Sequence, residues 1–327
     1  MATTSNEILS EAGRDKVHLK EASAVEIISL VDNTVDFLSS SSKEQAKTFR
    51  QWSKTHGQLP FAEHGFSMLI RTFNETGIHS ILFDAGCSRQ GIIKNAKRLG
   101  LNLNEVDYIV LSHGHYDHFG GLIAALKAIN KTNLPLITHD DMFKPRGTAD
   151  ANGTIRKYPL FPSEEKLGSC HIIKTRKPTL IAEDNVCITG EIPRKTNFET
   201  GYPQHRVFSN GTWHPDPWIR DDQAIVISVK GKGLIVVSGC AHAGIINTIR
   251  YAQEITGIKR ISAVLGGFHL AGKEFEKRIE PTIKELEQVN PELIAPTHCT
   301  GWKAACALAK VLPHAFVGNS VGNLYKL

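Results

Sequence analysis

The chain has 327 residues, 41% of them hydrophobic and 22% charged, which excludes wholesale disorder and fits one large α/β domain or two units of about 150 residues. Its 38 basic and 33 acidic residues leave a net charge of +5. They are scattered, so the charge permits an anionic small-molecule substrate and does not favour a nucleic-acid partner.

No apolar run approaches the roughly 18 residues of a membrane span, and the opening MATTSNEILSEAGRDK has no apolar signal core. The six cysteines form no CxxC pair and read as mostly reduced thiols. A cytoplasmic protein with no membrane partner is expected; oligomeric state is left open.

In chain order, residues 1–24 are polar and expected to be loosely ordered. Val25–Val31 predicts a strand, and 39–60 an inserted helix or loop. Phe66–Phe73 and Ser80–Asp84 predict strands. Gly91–Leu99 predicts a helix stopped by Gly100. Asp107–Ser112 is a buried strand, Gly121–Ile129 a helix, Leu134–Thr138 a strand. Residues 140–170 look inserted. Short β pieces follow at 171–173, 179–181 and 185–189, and 190–222 reads as a long loop. Ala224–Val229 and Leu234–Ser238 are strands, followed by alternation at 244–256, 260–265, 274–288, 292–296, 301–311 and 314–317. The pattern predicts an α/β (α+β) four-layer αββα sandwich over 25–327.

The most informative string is His113-Gly-His115-Tyr-Asp117-His118, set between a buried strand and a Gly-Gly helix start. Four metal-competent side chains share one short loop. On an extended backbone His113 and His115 point to one side, and Asp117 and His118 lie past a turn and aim at a second position. Imidazole with carboxylate suits a divalent metal, with Zn preferred and Mn or Fe as alternatives.

HxHxDH after a strand resembles the signature of the metallo-β-lactamase superfamily. The resemblance extends through Phe83–Gly86 (FDAG), Thr189–Arg194, Ser238–Thr248, Gly266–Leu270 and Pro296–Trp302. Within the superfamily this set is similar to the branch that includes an archaeal pterin-phosphate synthase of methanopterin biosynthesis. The resemblance implies the metallo-β-lactamase fold and a centre of one or two ions held by His113, His115, Asp117, His118, His242 and His298. It implies that Asp84 supports the metal loop. It also implies a bridging Asp at the end of a late strand, where this chain has Cys240. Cys240 is open to two readings, a soft thiolate ligand or a small buried residue. Glu191, near the position of a usual third His, reads as a distal ligand, a substrate contact or a solvated loop residue.

His269 follows a buried strand and reads as a catalytic proton-transfer or substrate group, or as a core histidine; His64 is similar. Asp117 could orient a water as well as ligate. Arg194, Lys195, Arg206, Trp213, Trp218 and Arg220 suit an anionic substrate with a flat ring, or a packed lid; His205 and His214 could line an entrance. The expected function is metal-dependent chemistry on a phosphate-bearing small molecule, by hydrolysis or by pterin-phosphate synthase-like transfer. The alternatives are a general metallo-hydrolase acting on phosphodiesters, nucleic acid, lactones or β-lactams, and a non-enzymatic metal-binding module.

Overall fold

The computed structural model describes residues 16–54 and 58–327. The first half contains β1 (Glu21–Ala22), β2 (Ala24–Val31), β3 (Ala46–Lys47), α1 (Phe49–Trp52), β4 (Ser67–Asn74), β5 (Gly77–Phe83), α2 (Arg89–Arg98), β6 (Tyr108–Val110), α3 (Tyr116–Phe119), α4 (Leu122–Ile129) and β7 (Pro135–Thr138). The middle contains β8 (Arg146–Ala149), β9 (Ile155–Lys157), α5 (Glu164–Leu167), β10 (His171–Lys174), β11 (Thr179–Ile181), β12 (Val186–Ile188), β13 (His205–Ser209) and β14 (Thr212–Pro215). The last third contains β15 (Ala224–Val229), β16 (Gly233–Ser238), α6 (Ile245–Thr256), β17 (Ile261–Gly267), α7 (Ile279–Val289), β18 (Leu293–Thr297), α8 (Trp302–Val311) and β19 (Leu324–Lys326).

Two large sheets carry the molecule. One runs β10-β7-β6-β5-β4-β2-β19-β3, the other β11-β12-β15-β16-β17-β18 with β1 beside β15. Period-two alternation sorts their side chains. Val25 and Ile27 of β2, Met68 and Ile70 of β4, and Ile225 and Ile227 of β15 share one core between the sheets. Their neighbours Ile28 and Leu69 face α2 and α4, and Val226 faces the layer of α6, α7 and α8. Both faces of each sheet are thus buried, which gives the expected αββα layering. Each such Ile, Leu or Val contributes about 1.5–3 kcal/mol as an upper estimate.

The helix signals act where expected. Ser88 Oγ accepts the N–H groups of Gln90 and Gly91 at the start of α2, and Gly100 follows its end at φ 70°.

Several expectations are corrected. Residues 1–15 lie outside the described residues, but 16–24 are built in: Val17 N–H bonds Ile255 O, Leu19 is buried, and β1 pairs with β15. The stretch 190–222 is not all loop, because its β13 and β14 join β8 and β9, from 140–170, in a third sheet ordered β14-β13-β8-β9. Residues 314–317 form only an isolated bridge, Ile294 to Phe316. The closing strand is β19, which pairs with β2 and β3.

The topology positions the site. β5, β6 and β7 are parallel neighbours, as are β16, β17 and β18. Parallel strands bring their carboxyl ends to one edge, so Asp84, His113, Cys240, His269 and His298 gather there from separate strands.

Candidate metal centre

Backbone conformation marks this edge. Asp84, Ala241, His269 and His298 all have left-handed φ values, between 46° and 59°. Such values cost non-glycine residues energy and persist where surrounding structure holds them at functional positions.

Asp84 is the hub beneath the HxHxDH loop. Its Oδ1 accepts the Ser112 N–H at 2.7 Å, and its Oδ2 accepts the Ser112 hydroxyl and the His118 Nδ1–H, each at 2.6 Å. These contacts leave His118 Nε2 bare, 3.1 Å from Cys240 Sγ. The packing needs Gly239, because a methyl there would overlap Ser112 Oγ.

Three imidazoles converge above this hub. His113 Nε2 lies 3.0 Å from His115 Nδ1 and 3.2 Å from His242 Nε2. Their other contacts decide the tautomers. His113 Nδ1 donates to Ser112 Oγ at 2.9 Å, because that hydroxyl already gives its proton to Asp84. His205 Nδ1 donates to Asp216 O at 3.0 Å, so its Nε2 is left to accept from His115 Nε2 at 3.0 Å. The inward nitrogens are therefore His113 Nε2 and His115 Nδ1, both lone pairs. Burial, reinforced by neighbouring positive charge, holds His113, His115 and His242 well below the usual histidine range, so all three are neutral.

A second group faces the first. Asp117 Oδ2 lies 3.2 Å from His298 Nε2, 3.3 Å from His64 Nε2 and 4.0 Å from His118 Nε2. His298 Nδ1 donates to Asn33 Oδ1 at 3.1 Å, and its main-chain N–H bonds Asp32 Oδ1 at 2.8 Å. That fixes Nε2 toward Asp117, where it is buried without a hydrogen bond. Burial alone would raise the Asp117 carboxyl, but His118 and His298 pull it well below the usual range. His118 is likewise opposed by burial, and the Asp84 and Asp117 carboxylates carry it upward. Burial pushes the Cys240 thiol well up.

A divalent ion fits these residues. The lone pairs of His113 Nε2 and His115 Nδ1, 3.0 Å apart, repel one another, and His242 Nε2 lies 3.2 Å from His113 Nε2; tetrahedral donors about 2.0–2.1 Å from a zinc ion stand close to that spacing. The sets His113/His115/His242, His113/His118/Cys240 and His64/Asp117/His298 each bring their donor atoms within 4.8 Å of one another.

The remaining site residues divide. His269 packs its ring 4.2 Å from that of His242, with Nδ1 buried and without a partner. His64, whose side chain is 61% exposed, sits at the rim. Glu191 is not among the gathered donors; it is held by His139 at 3.1 Å and Arg176 at 2.7 Å. Arg194 is also elsewhere, donating to the carbonyls of Ile192, Trp218 and Ile219.

Sequence reasoning missed the part played by four residues. His205 is a buried partner of His115 rather than an entrance residue. Ser112 and Asn33 orient ligand rings. Cys299, next to His298, joins Cys240 and His269 in a further close set. Its adjacency to a strand-end histidine was the available signal.

Comparison with known proteins agrees with this geometry. The family model described as the metallo-β-lactamase superfamily matches residues 61–253. A 7,8-dihydropterin-6-methyl-4-(β-D-ribofuranosyl)-aminobenzene-5′-phosphate synthase of Methanocaldococcus jannaschii is 37% identical over 276 residues, covering 82% of this chain and 91% of its own. An uncharacterized protein of the same organism is 34% identical over 270 residues, covering 81% of this chain and 93% of its own. A crystal structure described as a metal-dependent hydrolase of the β-lactamase superfamily aligns with a TM-score of 0.70 at 25% identity, over 93% of this chain and 98% of that one. No helix among the described residues is long and apolar enough to cross a membrane. With its donors on the strand-end loops of an αββα sandwich and a family match over more than half its length, the chain belongs to the metallo-β-lactamase superfamily.

Proposed function

We propose that this chain is a metal-dependent enzyme acting on a phosphate-bearing small molecule, by pterin-phosphate synthase-like transfer. His113, His115 and His242 would hold one ion, and Asp117, His118 and His298 would hold a second. The carrying observation is the donor chemistry: Asp117 is the only carboxylate among the gathered ligand atoms. One carboxylate against two divalent ions would leave cationic charge largely uncompensated, which favours anionic phosphate oxygens over a neutral substrate. When bound, a divalent ion supplies Lewis acidity toward those oxygens.

The chain's own groups cover the rest of a condensation. An arylamine nitrogen bonds to the pterin methylene carbon, the carbon–oxygen bond to diphosphate breaks, and the amine proton must leave. His269 Nδ1, buried at the site edge without a partner, is placed to take it. The likeness to the M. jannaschii synthase supports the same reading.

A second reading is phosphoester hydrolysis, in which Asp117 orients the attacking water. The likeness to a metal-dependent hydrolase favours it. The two separate by mass spectrometry. Metal-loaded enzyme is mixed with a dihydropterin-methyl diphosphate and the ribofuranosyl-aminobenzene phosphate. Coupled product supports transfer. Hydroxymethyl pterin with free diphosphate supports hydrolysis. No turnover here, or on a phosphodiester, lactone and β-lactam panel, overturns the proposal.

A further inference from the structure

A cavity of about 770 Å³ lies beside the metal centre and contains none of its donors; Arg176, Lys177, Glu191, Arg194, Trp218 and Arg220 line it. Four cations face one carboxylate. Arg176 is neutralised by Asp140, Asp141 and Glu191. Among the described residues Lys177, Arg194 and Arg220 form no salt bridge, although Asp222, Asp221 and Asp216 act on Arg194 from a distance. Among the described residues, Lys177 and Arg220 have no side-chain hydrogen bond or ion pair.

Arg194 is partly buried, yet its guanidinium touches only main-chain carbonyls, and its Nε has no partner. A cation desolvated without a carboxylate contact leaves charge that an anion can offset. The same guanidinium lies 5.9 Å from the Trp218 ring, which remains 40% exposed. The pocket thus offers an indole surface beside unpaired cations.

None of the residues that line the pocket is among the gathered donors. Asp222, which accepts the Ala243 N–H at 2.8 Å next to His242, also feels the charge of Arg194. The pocket thus adjoins the segment that carries His242 without containing a donor.

We infer that this pocket is a second ligand site, distinct from the metal centre, for a planar aromatic ring carrying a phosphate. Trp218 stacks the ring, and Arg220, Lys177 and Arg194 receive the anion. A ring and an anion held together bind more tightly than either alone, because the second contact is intramolecular.

The test uses guanosine 5′-monophosphate as probe, with guanosine and inorganic phosphate as half-ligands, in calorimetric titrations of the metal-loaded full chain. The nucleotide should bind at least about tenfold more tightly than either half. Arg220→Ala and Trp218→Ala should each weaken it at least about fivefold with metal content unchanged. His113→Ala, which disrupts the metal centre, should leave nucleotide binding as it was. Absence of binding at millimolar nucleotide overturns the inference. So does binding that vanishes in His113→Ala while surviving both pocket substitutions, because the ligand would then sit on the metal centre.

Discussion

His113, His115 and His242 meet as three neutral imidazoles, whereas Asp117, His118 and His298 meet around a carboxylate. In the first group the rings are aimed by neutral partners. Ser112 holds His113 and the His205 relay holds His115. In the second group charge does more of the work. Asp84 grips His118, and Asp117 draws on three imidazoles, one of them the exposed His64. An ion in the first group would be held by orientation and lone pairs. One in the second would depend on Asp117, with Cys240 near His118 supplying no charge while protonated. The second group should therefore bind its ion more weakly.

The largest expected effect is from His113→Ala, which removes the ring shared by two of the close donor sets. Activity should fall below about one-thousandth, and metal content should drop with circular dichroism unchanged. Full occupancy measured by plasma mass spectrometry would break the assignment.

Asp84→Asn should come next. It loses the charge that fixes the His118 tautomer, and metal affinity in chelator competition should weaken about ten- to a hundredfold. An unchanged affinity would mean that Asp84 only packs the loop.

His205→Ala should weaken the neutral group about tenfold, less than Asp84→Asn, because water can replace a neutral acceptor for His115 Nε2–H. Loss of the second ion instead of the first would reverse the comparison.

Cys240→Asp sharpens the contrast in the opposite direction. A carboxylate beside His118 should tighten the second ion and raise stoichiometry from about one toward two. Two tightly held ions in the unsubstituted chain, with no gain in the variant, would refute the charge deficit.

The gathering of the HxHxDH side chains was legible because local spacing alone keeps them within one short segment, although Asp117 and His118 fall on α3. His242 and His298 were legible because each follows a buried strand, and parallel strands share an edge. His205 was not. It reaches His115 only because β13 pairs with β8, and both strands are short and largely polar, β8 buried throughout and β13 partly exposed. No local period announces such a pairing. Asn33 and Ser112 were hidden for a related reason: their role is a hydrogen bond across the fold, which residue type does not encode. Of the three readings open for Glu191, its place in the chain could not choose, because its ion pair with Arg176 comes from a separate segment. The N-terminal strand β1 was hidden by its two-residue length, and β19 by a closing segment too short to show alternation.

The tautomers decide which nitrogen of each ring is available to an ion. Anomalous diffraction at the zinc edge, from crystals of the full chain grown with zinc, tests this directly. The strongest peak should lie about 2.0–2.1 Å from His113 Nε2, His115 Nδ1 and His242 Nε2. A principal peak bound to His115 Nε2, or one centred on Glu191 and His139, would contradict it.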